Sequence, residues 1–394
     1  MKPYSLFSKP LLSLSFSAFA IGLSEFVVIG LLTQIANDLK LSLATVGMLI
    51  TAYALGVSIG SPVIAHLTRK IPSKTVCLCL VAVFAVANLA SALVPGLYAI
   101  LLTRLLAGAM HGAYFSIAST VAPALVAPAK APLAIAVMFS GLTVAMVLGV
   151  PLGIGFGMMA GWQNVFIVIA VLAAAAGLLL HLFVPALDDT IDLVNEAPFS
   201  AYLSSGLVTL YSITIFGFGG GFVFFSYIEP YLRDALSFAP SDIARSLVVI
   251  GFGSLVGNGL GGKLLEVLGS RRGLGSAIVM QSLALAGLAL TPDYPVLFHA
   301  ILFIWSAACF AIAPMVQSSV VSLAAGKQGL SPRLTAAFNA TAFNVGISAA
   351  TFAASALVGS KSVLVLPMAA ALAVMASLLL LLSTRRRAAS EVSA

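Results

Sequence analysis

One long apolar run follows another along this chain. About 20 mostly apolar residues suffice to cross a bilayer as a helix. Charges, prolines and turn residues divide the sequence into about twelve such runs. They span residues 10–36, 43–68, 75–94, 97–125, 131–158, 163–184, 200–231, 241–266, 273–291, 294–324, 333–358 and 363–383. Only 8% of the residues are charged and 61% are hydrophobic, where a soluble domain carries about 25% charge. An outer-membrane barrel would show alternating strands of ~10 residues, and the sequence has none. The expected fold is an all-α membrane protein with twelve transmembrane helices in two six-helix bundles.

The longest internal polar stretch, PALDDTIDLVNEAPF, places a cytoplasmic linker at 185–199. It separates an N-terminal bundle over 1–184 from a C-terminal bundle over 200–394. Lys2 and Lys9 precede an apolar run in the manner of a secretory leader. That run is too long for a leader and more spans follow, so it is taken as a retained first helix. With both termini cytoplasmic, fourteen Lys and Arg residues fall on the inner side. Four (Lys40, Arg233, Arg245 and Lys361) fall on the outer side. Basic residues collect on the cytoplasmic face, so this count fixes the orientation and explains the net charge of +7 without nucleic acid. At an offset of 197 residues Gly56 maps to Gly253, Gly60 to Gly257 and Gly149 to Gly346, as expected of repeated halves.

In the fifth run, Gly141, Ala145, Gly149, Gly153 and Gly157 recur every four residues. On a helix they form a slowly winding stripe that admits another helix to close backbone contact. Pro151, inside the stripe, removes a backbone hydrogen bond and favours a bend. The stripe serves either tight packing alone or a seam that flexes during transport.

Other stretches carry a family signature. The first helix reads FAIGLSEFVVIGLLTQIANDL and the second YALGVSIGSPVIAHLTRKIPSK. The fourth reads RLLAGAMHGAYF, an R-x-x-x-G-x-x-x-G motif at Arg104, Gly108 and Gly112. With the fifth-helix GVPLG at Gly149 to Gly153, these resemble the major facilitator superfamily over essentially the whole chain. Within it they are similar to the bacterial twelve-helix drug:proton antiporters, on the arabinose-efflux-permease-like branch. The family's loop motif, G-x-x-x-D-R-x-G-R-R, is degraded in the first half. Arg69 stands in place of the acid and Pro72 in place of glycine, while the second half keeps Glu266, Gly269 and Arg271. The loop residues Arg69, Lys70, Lys74, Glu266 and Arg271 are therefore the gating candidates.

Ionisable groups at mid-membrane are costly and default to functional candidates. Glu25 lies midway along the first helix, on a face with Ala18 and Gly22. Arg104 and His111 lie seven residues apart on the fourth. Glu25 is expected to carry the proton, with Arg104 and His111 tuning it; the alternative is a static buried ion pair. Tyr53, Phe115, Phe218, Phe222, Phe225, Asn339 and Asn344 are the substrate-cavity candidates. For the aromatic line of the seventh helix and for the two asparagines, helix packing remains the alternative.

Cys77, Cys79 and Cys309 lie in apolar runs without a CxxC pair and read as packing residues. The histidines, His66, His111, His181 and His299, are scattered, and no HExxH, GxSxG or Walker lysine motif occurs. Gly217 to Gly221 follows no strand and is not a nucleotide loop. The chain is expected to be no enzyme and to use no cofactor beyond a proton gradient. The resemblance implies proton-coupled efflux of small, largely apolar compounds by alternating access, as in multidrug resistance. Sugars or sugar-like metabolites are further substrates to consider, and an uptake symporter or uniporter is the alternative. Expected partners are a small-molecule substrate, protons and the lipid bilayer of the bacterial inner membrane. A monomer is expected.

Overall fold

The structure, a computed structural model, describes residues 4–68, 70–94, 96–127, 130–186, 199–291, 294–325, 327, 330, 332–360 and 362–392. Among them every regular element is helical, and 11 helices are long and apolar enough to cross a membrane. One of these, Pro240–Leu290, has 51 residues. At 1.5 Å per residue it would run about 76 Å, more than twice the ~30 Å hydrocarbon core. It breaks at Gly269, whose φ of 72° suits glycine alone, and so makes two passes.

The twelve passes are α1 (Lys9–Leu39), α2 (Leu43–Leu67), α3 (Ser73–Leu93), α4 (Leu97–Ala124), α5 (131–160) and α6 (Trp162–Phe183), followed by α7 (Ser205–Phe225), α8 (240–268), α9 (270–290), α10 (Pro295–Ala325), α11 (Pro332–Ser360) and α12 (Leu366–Val392). The chain forms two compact units, Met1–Asp192 and Leu193–Ala394. Of the acidic linker expected at 185–199, residues 187–198 lie outside those described. Large apolar side chains face outward at mid-helix, such as Ile59 at 60% and Leu152 at 71% exposure. In water such surface would be a liability; in lipid it is what the solvent requires.

The turns have local causes. Lys40 closes α1 in a left-handed conformation, and the Leu41 N–H donates to the Ala36 carbonyl at 2.9 Å. Ser42 then caps α2, its Oγ accepting from the Thr45 N–H at 3.1 Å. Asp38, near the end of α1, accepts from Trp162 Nε1 and Gln163 Nε2, both at 2.8 Å. One carboxylate thereby pins the first turn of α6, where a negative charge is favoured.

Two passes depart from the continuous helices expected of them. In α5 the segments Ala131–Val144 and Val150–Ala160 are joined by a π-helical turn, Ala145–Gly149. Pro151 follows the distortion directly: the N–H that it lacks would have bonded to Val147, inside the π turn. The π turn has a geometric use. At 100° per residue, glycines spaced by four drift about 40° per step, or about 160° from Gly141 to Gly157. A π turn absorbs one extra residue and takes back about 100° of that drift. The whole stripe therefore stays on α1. Cβ atoms added at Gly141, Gly149, Gly153 and Gly157 would meet Ser15, Phe19, Val27 and Leu31 respectively.

In place of one helix over 200–231, α7 runs Ser205–Ile213 (α), Thr214–Phe218 (π), Gly219–Gly221 (3₁₀) and Phe222–Phe225 (α). Its glycines each admit a different neighbour. Gly219 meets Gly346 of α11, Gly220 meets Val374 of α12, and Gly221 meets Gln281 of α9 and Cys309 of α10.

The paired glycines of the two halves pack alike. Gly56 and Gly60 of α2 bring it onto the backbone of α4, at Leu105 and Ala109. Gly253 and Gly257 of α8 bring it onto α10, at Phe303 and Ala307. These contacts predict opposite outcomes for similar substitutions. Gly141→Ala drives a Cβ into the Ser15 carbonyl oxygen and should cost about 1–3 kcal/mol. Gly155→Ala meets nothing within 4 Å and should gain up to about 1 kcal/mol of helix propensity. Thermal unfolding of both variants in detergent checks the pair.

Candidate functional site

The fourth-helix motif acts through its spacing. Arg104, Gly108 and Gly112 follow one another every four residues along α4. A Cβ at Gly108 would overlap the Tyr53 carbonyl oxygen, and one at Gly112 would crowd that of Val57 at 2.8 Å. The two glycines thus draw the α2 backbone onto α4. The Tyr53 ring then lies against the guanidinium, 4.1 Å from Arg104 Cζ to the ring centroid, and Phe166 of α6 lies at 5.7 Å. Tyr53 Oη is 3.1 Å from His111 Nδ1. His111 packs against Phe115 at 5.0 Å, and Phe115 stacks on Phe139 of α5 at 5.0 Å.

Arg104 is fully buried. Its Nη1 donates to Ser24 Oγ at 2.9 Å, Ser24 donates to Asn88 Oδ1 at 2.7 Å, and Asn88 Nδ2 donates to the Phe84 carbonyl at 2.9 Å. This chain of bonds through α1 and α3 fixes the guanidinium plane. Arg104 Nε and Nη2 are buried with no hydrogen-bond partner. Together they form the side-on fork that matches a carboxylate. Glu25, one residue beyond Ser24, keeps part of its surface open, and Arg104 is the opposite charge acting on it. The static buried ion pair is not formed: among the described residues no ion pair joins Glu25 to Arg104.

In the second unit a polar chain crosses three helices. Thr214 Oγ1 of α7 donates to Asn339 Oδ1 of α11, and Asn339 Nδ2 donates to Gln317 Oε1 of α10, both at 2.7 Å. Asn344 bonds its own helix at Ala340, while its Oδ1 is buried without a partner. Phe218 touches Phe222, Phe310 and Phe343, with centroids 4.8–5.6 Å apart. Phe222 and Phe225 are buried, and Phe225 lies 5.8 Å from Trp305. At about 0.5–1.5 kcal/mol per aromatic pair, Phe218→Ala should cost about 2 kcal/mol or more. Thermal unfolding checks the loss.

The Major Facilitator Superfamily model matches residues 14–351. The chain belongs to the major facilitator superfamily. It is 32% identical over 382 residues to the inner membrane transport protein YdhP of Escherichia coli K12, covering 96% of each chain. It is 31% identical over 359 residues to a protein of Streptomyces lividans named chloramphenicol resistance protein, covering 89% of each. Its fold resembles the crystal structure of a bacterial homologue of the human lysosomal transporter Spinster, with a TM-score of 0.68 and 16% identity over 94% of both chains. Like these superfamily relatives, it is a multi-pass membrane transporter.

The gating candidates lie at the loops between passes. Arg69 lies outside the described residues. Lys70, Glu266 and Arg271 are exposed, and among the described residues no ion pair uses them. Lys74 Nζ donates to the His181 carbonyl at 2.9 Å, a cation at the last turn of α6.

Sequence reasoning about this superfamily member missed Ser24 as the link between Arg104 and Asn88. It also missed Gln281 and Trp305. Both are fully buried, and Gln281 Nε2, Gln281 Oε1 and Trp305 Nε1 have no partner. The signal for Gln281 was present, since it is the one amide in the apolar run 273–291.

Proposed function

We propose that this chain is a proton-coupled exporter of small, largely apolar compounds, with Glu25 as the proton carrier and both termini cytoplasmic. The observation that carries the proposal is the unpartnered Nε–Nη2 edge of Arg104 beside the partly open Glu25. A protonated, neutral Glu25 leaves that edge vacant. Loss of the proton creates a carboxylate, and the buried fork is the opposite charge that acts on it. Proton release is then tied to closure of α1 on α4, and proton uptake to its opening.

An apolar substrate is supported by the aromatic cluster around His111 and Phe115 and by the scarcity of buried charge. The name of the Streptomyces relative supports export of an antibiotic-like compound. The fourteen-to-four distribution of basic residues supports the orientation.

The test is proton release from purified protein in detergent when lipophilic compounds, chloramphenicol among them, are added. Ligand-induced release is the expected result. Binding with no proton released would overturn the coupling and favour a uniporter.

A further inference from the structure

We propose that a groove on the lipid side of the second bundle binds an anionic glycerophospholipid, with its phosphate on Arg272. A cavity of about 700 Å³ lies between α9, α10 and α12. It begins at Arg272, passes Gly275 and Leu283, and reaches Gly287 and Ile301. From Arg272 to Gly287 it follows fifteen residues of α9, about 22 Å. One leaflet contributes about half of the ~30 Å hydrocarbon core, so a whole acyl chain fits along it. Leu283, in its wall, is 66% exposed, which places the groove on the outer surface of its bundle.

The lining commits the groove to an amphiphile. Its walls are alkyl side chains and glycines. Ser276, the other polar lining residue, spends its hydroxyl on the Gly273 carbonyl at 2.9 Å. Arg272 is the one lining charge and sits at one end. It is exposed, and among the described residues it forms no ion pair and no hydrogen bond. In sequence the junction of α8 and α9 carries Lys263, Arg271 and Arg272 against Glu266, whereas Asp293 follows the other end of α9. An uncharged lipophile would leave the guanidinium idle, and a zwitterionic headgroup would return part of the charge it neutralises. A phosphate on a guanidinium takes paired charge-assisted hydrogen bonds. Basic pockets at the cytoplasmic ends of helices select such headgroups.

The two glycines keep the groove open. A Cβ at Gly275 would lie 3.6 Å from Leu381 Cδ2, and one at Gly287 would lie 3.4 Å from Ile301 Cδ1. Both are ordinary contacts, so a longer side chain there would occupy the groove rather than break the fold.

Native mass spectrometry of the delipidated full-length protein tests this, with phosphatidylglycerol or phosphatidylethanolamine of matched acyl chains added. Phosphatidylglycerol should be retained in preference. Arg272→Gln should weaken its retention about fivefold, the effect of one basic residue near an anionic lipid. Gly287→Leu should abolish preferential retention, and Gly275→Leu supplies the same block if Gly287→Leu fails to insert. Lys263→Gln, in the same basic loop but off the groove, should leave retention unchanged. Equal retention of the two lipids would overturn the proposal. So would equal losses in Lys263→Gln and Arg272→Gln, which would show diffuse charge rather than a site. A wild-type dimer dissolved by Gly287→Leu would assign the groove to a second copy of the chain instead.

Discussion

Glu25→Gln should lose gradient-driven export while the protein still inserts and unfolds near the wild-type temperature. The side chain keeps its size, and among the described residues Glu25 takes part in no ion pair that the change would break. What disappears is the ability to become a carboxylate and engage the vacant edge of Arg104. In vesicles, accumulation of substrate against its gradient should fall to the level of passive equilibration, and ligand-induced proton release should vanish. Arg104→Lys is the companion. It keeps a charge but lacks the fork, so it should retain weak binding with little coupling. Undiminished uphill transport by Glu25→Gln would remove Glu25 from the mechanism.

The second large effect is expected at Gly108, which lies against the backbone of Tyr53. Valine there would place branched carbon on the Tyr53 carbonyl oxygen. Backbone cannot rotate aside as a side chain does, so the cost should reach or exceed about 3 kcal/mol, the upper end for overpacking. That is a large share of a typical stability of about 5–15 kcal/mol. The relief open to the chain is to separate α2 from α4, which withdraws Tyr53 from both Arg104 and His111. Gly108→Val should therefore lower the unfolding temperature and the proton response together. Gly259→Ala, whose new Cβ meets nothing within 4 Å, should change neither. A Gly108→Val protein of wild-type thermal stability would show that the approach of the two helices is not required.

The alternation of apolar runs and polar breaks was enough to place the twelve passes, because a bilayer leaves helices few other arrangements. Even the junction inside Pro240–Leu290 was legible from Arg271, Arg272 and their neighbours, which flank the break at Gly269. The backbone irregularities were harder to read. Pro151 announced a distortion, and it lies in the turn just before the proline, but no sequence signal showed that it would be a π turn that keeps the glycine stripe on α1. The broken course of α7 was hidden because GFGGG is apolar by composition, and hydropathy does not register the helix-weakening effect of glycine.

At the site, Glu25, Arg104, Tyr53 and His111 could each be named as costly or polar residues in apolar helices. Their pairing could not. Ser24 takes the hydrogen bond from Arg104, and no spacing on a single helix shows which neighbour a guanidinium will choose. The unpartnered atoms of Gln281 and Trp305 belong to the same class, since an unmet hydrogen bond is a property of the packed molecule.

Of the three π turns among the described residues, the two inside passes fall on opposite members of equivalent helix pairs. In the first half the turn lies in the fifth helix, packed on an uninterrupted first. In the second half it lies in the seventh helix, the counterpart of the first, packed on an uninterrupted eleventh. A π turn holds one more residue than an α turn, so the two halves fall out of step in complementary places. A chimera that grafts α11 into the position of α5, or joins two copies of the first half, would carry one residue too few or too many along a seam. Every side chain beyond that point would be turned by about 100°. The halves are therefore alike in plan but not interchangeable as parts.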